Sequence, residues 1–87
     1  MKKEPYIEIS QHAQEQMVER GASKSEVVLA IEKGEIETAH KGRNMYRKNF
    51  QFNRIWRGKR YKIKQVVPIV ADEGDKLVVV TVYVFYF

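Results

Sequence analysis

The sequence predicts an α+β domain in which an N-terminal helical hairpin packs on an antiparallel β-sheet of three to four strands. Three observations carry this. Two consecutive segments within residues 10–34 are each opened by a capping serine and closed by a glycine. After Gly34 the apolar period changes from that of a helix to two. The chain then ends in Leu77 to Phe87, a run of β-branched and aromatic residues broken only by Thr81. At 87 residues the chain is read as a single domain, 1–87, with the hairpin at 10–34 and the sheet at 35–87; that size holds one two-layer core and leaves no room for a separate catalytic module.

Ser10 caps a first helix that runs through His12 to Arg20, with Gly21 at the left-handed stop position. Ser23-Lys24-Ser25-Glu26 is a capping box for the second, whose stripe of Val27, Val28, Ala30 and Ile31 faces Ala13 and Met17 of the first; Gly34 closes it. Glu35 to Ala39 begins the sheet. Phe50 and Phe52 alternate with Gln51, and Tyr61 and Ile63 with Lys62 and Lys64, so one face is expected to be greasy and the other cationic. Arg57-Gly58-Lys59 turns one hairpin and Asp72-Glu73-Gly74-Asp75 the next. Pro68, which has no N–H, demotes its strand toward an edge or a bulge. Leu77 to Phe87 reads as a strand with both faces covered, and it falls far short of the roughly 20 residues of a membrane-spanning helix. Met1 to Pro5 is expected to be loose.

The charge is segregated. Between Thr38 and Ala71 there is no acidic residue, yet ten of the sixteen Lys and Arg residues stand there: Lys41, Arg43, Arg47, Lys48, Arg54, Arg57, Lys59, Arg60, Lys62 and Lys64. The remainder of the chain is net acidic, so the overall +5 comes from the middle and points to a polyanionic partner. Tyr46, Phe50, Phe52, Trp56 and Tyr61 are threaded through the same stretch, pairing cations for phosphates with flat faces for bases. The absence of cysteine excludes disulfides and thiolate chemistry, and with no signal-peptide pattern the expected compartment is the cytoplasm. His12 and His40 sit at no metal-ligand spacing, so neither a metal nor a cofactor is expected.

The segment ISQHAQEQMVERGASKSEVVLAIEKGEI, Ile9 to Ile36, followed downstream by VVVTVY at Val78 to Tyr83, resembles the small bacterial and phage domains of the DUF4258 type. Those domains look like relatives of the RelE, ParE and BrnT type II toxins. The resemblance covers most of the chain, although only the HA…M.ERG stretch, the capping box and the final strand are distinctive. It implies a helical hairpin on an antiparallel sheet, a messenger-RNA endonuclease that acts alone or on the ribosome, and a small acidic antitoxin that neutralises it. Two positions depart from the family's habit: Gln16, where an Arg is more usual, and Gln65, where some relatives offer a His.

Cleavage of RNA by its own 2′-hydroxyl requires a base, cations for the crowded phosphate and an acid for the departing 5′-oxygen. Imidazole titrates near neutrality, and the spacing 12, 16, 20 aligns His12, Gln16 and Arg20 on one helical face. The catalytic candidates are therefore His12, Arg20, Arg54 and Tyr83, a tyrosine such as Tyr46, Tyr61 or Tyr83 positioning the sugar. Each has a bland alternative: His12 anchoring its helix, Arg20 complementing the helix dipole, Tyr83 filling the core. For nucleic-acid binding the candidates are Arg43, Arg47, Lys48, Arg57, Lys59, Arg60, Lys62, Lys64, Trp56 and Tyr61, the arginines offering a two-pronged fork to phosphate. His40 reads as part of a solvated loop. Two function classes remain open: a toxin-like endoribonuclease that needs no metal, or a non-catalytic nucleic-acid- or protein-binding module; the C-terminal strand, Leu77 to Phe87, is the candidate contact for a homodimer.

Overall fold

The computed structural model describes residues 6–87; the segment Met1 to Pro5, expected to be loose, lies outside the described residues. The order is β1 (Tyr6–Ile9), α1 (Gln11–Arg20), α2 (Lys24–Lys33), β2 (Glu35–Thr38), a short 3-10 turn at His40–Gly42, β3 (Asn44–Trp56), β4 (Lys59–Asp72) and β5 (Lys76–Tyr86). The fold is α+β, with two helices and a five-stranded mixed sheet in the order β1-β5-β4-β3-β2. This corrects the expectation of an N-terminal helical hairpin on three to four antiparallel strands. The helices follow a strand, and that strand lies parallel to β5, Tyr6 opposite Lys76 and Ile9 opposite Val79. Its four residues are too few for a period to declare itself, and its partner lies at the far end of the chain.

Both helices form where their punctuation places them. Ser10 Oγ accepts from Ala13 N at 3.1 Å, and Gly21 closes α1 at φ 81°. Ser23 and Glu26 form the reciprocal capping box of α2. Gly34 has no left-handed backbone, but a Cβ there would meet the carbonyl oxygens of Ala30 and Arg47, so only glycine fits where α2 passes into β2. Rather than packing as a free-standing hairpin, α1 lies over β5, and α2 over β4 and β3. Ala13, Met17 and Val27 meet Val66, Val70, Val79 and Val82 in one buried cluster. Each fully buried valine there contributes about 1.5–3 kcal/mol relative to exposure.

The β3–β4 turn is a tight one at Arg57 and Gly58, φ 51° and 84°, between paired Trp56 and Lys59. Pro68 does not sit on an edge: β4 is the middle strand, and Pro68 is fully buried in it. Two accommodations make this possible. The β3–β4 ladder skips Tyr46 and Arg47, which stand between the pairs Met45–Ile69 and Lys48–Val66, and the β4–β5 register shifts just beyond, between Ile69 and Val70. Nor is β5 covered on both faces, since Tyr83, Phe85 and Phe87, which alternate with buried Val82, are 43%, 43% and 64% exposed on the side away from the helices.

The expected alternation holds in β3 at Phe50, Gln51 and Phe52, the two rings half-buried and Gln51 exposed, but fails in β4, where Lys64 is buried. Registers shift between Gln51 and Arg54, and both Lys62 N and Ile63 N donate to Phe87 O, so the strands change face partway along.

Candidate nucleic-acid interface

Because β1 ends opposite Val79, β5 from Val80 onward has no strand on that side among the described residues. Side chains of α1 take its place. Gln16 Oε1 accepts from Val82 N at 2.9 Å, and one helical turn on, Arg20 donates from its guanidinium to Val82 O at 2.7 Å. Gln16 is buried, and the bond satisfies a backbone group that would otherwise be orphaned there. Held in this way, the Arg20 guanidinium lies over the Tyr83 ring, 5.3 Å from its centroid.

Beyond Val82, a cluster of aromatic rings surrounds Tyr86. Trp56 stacks on it at 5.1 Å and 16°, while Phe52 and Tyr61 approach at 5.3 and 5.5 Å. The Tyr86 hydroxyl donates to Arg20 O at 2.7 Å, and burial, followed by the nearby Glu26 carboxylate, raises its pKa above the usual tyrosine value, with Arg57 opposing. Gly21 makes the approach possible, since a Cβ there would stand 2.6 Å from the Tyr86 hydroxyl and 2.9 Å from Trp56. The rings of Trp56 and Tyr61 carry Arg57 and Lys59 over them at 5.2 and 5.6 Å. Both candidate stacking residues are thus already engaged, each with Tyr86 and with a cation.

Two open clefts flank Tyr83. The first, about 270 Å³, is lined by Glu19, Arg20, Trp56, Arg57, Tyr83, Val84 and Tyr86. Arg57 donates to Glu19 O at 2.8 Å, and two guanidiniums and two tyrosines line this cleft. The second, about 300 Å³, is lined by Ala39, His40, Lys41, Arg43, Ile69, Thr81 and Tyr83, with no carboxylate among them. Tyr83 borders both. A further cavity, about 520 Å³, lies between β1 and the helices and carries both Glu8 and Lys24, a mixed-charge lining.

Of the catalytic candidates, Arg20 and Tyr83 come together, whereas His12 and Arg54 line neither cleft. His12 is exposed and stands eight residues before Arg20 on α1, about 12 Å along the axis. Arg54 packs its guanidinium 5.0 Å over Phe52. Among the binding candidates, Arg57 and Trp56 line the first cleft and Arg43 the second. Arg60 and Lys62 are exposed, and Lys48 lies over Phe50 at 5.4 Å. Arg47 is drawn into a polar ladder, donating to Gln65 Oε1 at 2.8 Å and facing Glu37 at 3.8 Å, while Gln65 donates to Asn49.

Lys64 is buried rather than free on a cationic face. Its ammonium donates to Gly21 O at 2.8 Å and pairs with Glu26 at 2.9 Å, tying the α1 terminus, the start of α2 and β4 together. Neither Tyr86 nor Lys41 stands out as a site residue in the sequence, where His40 reads as part of a solvated loop. Strict alternation from buried Val82 through Val84 to Tyr86 carries the signal for Tyr86; nothing local signals that the loop of His40 and Lys41 folds beside Tyr83. Among the described residues no group of three or more His, Asp or Glu could hold a metal, and no helix is long and apolar enough to cross a membrane.

A protein-family model described as a domain of unknown function, DUF4258, matches residues 9–84. No curated protein and no solved structure matches the chain.

Proposed function

We propose that this chain, which belongs to the DUF4258 family, is a small basic RNA-binding protein of the type II toxin kind that cleaves RNA by attack of a 2′-hydroxyl, without a metal. The observation that carries the reading is the first cleft, where Arg20, Arg57 and Tyr83 converge. In the step, the 2′-oxygen forms a bond to phosphorus as the bond from phosphorus to the 5′-oxygen breaks. Solvent water takes the 2′-hydroxyl proton and supplies one to the 5′-oxygen, leaving a cyclic phosphate and a 5′-hydroxyl. Arg20 and Arg57 bear the charge that builds on the phosphoryl oxygens, and Tyr83 positions the sugar. The partners in this reading are RNA, free or on the ribosome, and an acidic antitoxin-like protein.

A second reading, a non-catalytic nucleic-acid- or protein-binding module of the same fold, is favoured by one observation: no histidine lines the Arg20–Tyr83 cleft. Induced expression of wild type, His12→Ala and Tyr83→Ala, with growth and total RNA followed, separates the two. Growth arrest with new RNA ends, lost in Tyr83→Ala, supports cleavage; intact RNA at full expression moves the assignment to the binding module.

A further inference from the structure

We infer that the site takes a strand with at least two linked phosphates, one on each side of Tyr83, and that the cleft beneath the loop of residues 39–43 is the second phosphate subsite. The inference rests on the RNA reading above and deepens it by fixing the minimal ligand. Tyr83 lines two clefts, and each carries a pair of cations: Arg20 and Arg57, beside Glu19, in one, and Lys41 and Arg43, with no carboxylate, in the other. A single phosphate needs only one pair. Two pairs separated by a flat ring fit consecutive phosphates of a single strand with a base or sugar between them.

The second cleft is built by the backbone. Ala39 N donates to Arg43 O at 2.6 Å, closing the loop on itself. Within it Lys41 adopts φ 62°, a left-handed conformation uncommon for lysine, followed by Gly42 at φ 71°. This fold of the loop brings His40, Lys41 and Arg43 to a cleft that Ile69, Thr81 and Tyr83 also line. Tyr83 is 43% exposed, and Phe85 stacks beside it at 6.4 Å and 18°, so the ring presents an accessible edge of a two-ring platform.

The test uses 2′-O-methyl oligonucleotides, which cannot be cleaved, carrying one or two phosphates, titrated by NMR into the full chain. Three proteins are compared: wild type, Lys41→Gly/Arg43→Ser and Arg57→Gly. Glycine at Lys41 keeps the left-handed backbone accessible, and amide spectra report whether each variant is folded. For wild type, the second phosphate is expected to tighten binding at least about tenfold. In Lys41→Gly/Arg43→Ser that gain is expected to collapse to less than about twofold, whereas Arg57→Gly weakens both ligands. A wild type with no gain from the second phosphate, or a double variant that keeps the gain, overturns the two-subsite inference while leaving RNA binding intact. Absence of binding to either oligonucleotide overturns the RNA reading, and the inference with it.

Discussion

Gln16 Oε1 accepts the backbone N–H of Val82 at 2.9 Å, on a side of β5 where no strand of the described residues continues past Val79. Together with Arg20 on Val82 O, it lets one face of α1 serve as the missing neighbour of β5. Gln16 is therefore a positioning residue: it fixes the strand that carries Tyr83. Replacing it with leucine leaves the Val82 N–H unpaired, and the expected cost is about 1–3 kcal/mol, read as a lower urea midpoint at unchanged slope.

Gly21 stands at φ 81° with Tyr86 and Trp56 against it. Gly21→Ala is expected to cost more than the roughly 1 kcal/mol of a strained backbone alone, because the stacked rings must also move. Loss of thermal stability accompanied by a shift in fluorescence of the single tryptophan checks this, since Trp56 is the ring displaced.

Lys64 and Lys62, two residues apart, should behave oppositely. Lys64 is 7% exposed and bonded to Glu26, so Lys64→Ala is expected to destabilise by on the order of 3 kcal/mol and leave the salt dependence of RNA binding in place. Lys62→Ala is expected to have little effect on stability; if it meets a phosphate, the slope of log affinity against log salt falls by about 0.7. Denaturation curves and anisotropy titrations at several salt concentrations separate these outcomes.

Much of this architecture is legible in the residues. Ser10, Gly21, Ser23 and Glu26 fix both helices because caps are local chemistry, satisfied within a few residues. The hairpin turns at Arg57-Gly58 and around Gly74 are local in the same sense. What the residues conceal is what depends on distant partners. Tyr6 to Ile9 becomes a strand only because Lys76 to Val79 lie beside it. Lys64 looks like one more surface cation until α2 brings Glu26 to it. The site shows the same division: Arg20 and Tyr83 were each legible as candidates, but not their convergence, and His12 shares a helical face with Arg20 without sharing its cleft.

Tyr86 supplies a pH dependence. Burial raises its pKa, so the folded state holds the phenolic proton more tightly than the unfolded chain. The stability so gained is fully present below the unfolded tyrosine value near 10 and is lost as pH rises through the higher folded value. Melting temperatures measured from pH 8 to 11 should therefore fall more steeply for wild type than for Tyr86→Phe. The variant is less stable at pH 8 for lack of the bond to Arg20 O. Parallel curves would show that Tyr86 does not carry the alkaline limb.

The most direct measurement is cleavage itself. Purified wild-type chain and Tyr83→Ala are incubated with single-stranded RNA in the presence of a chelator, and the new ends are analysed. The expected result is fragments ending in a cyclic phosphate with 5′-hydroxyl partners, produced by wild type and reduced about 10²–10⁴-fold in the variant. RNA that stays intact with wild type, or cleavage that Tyr83→Ala leaves undiminished, would contradict an active site between Arg20, Arg57 and Tyr83.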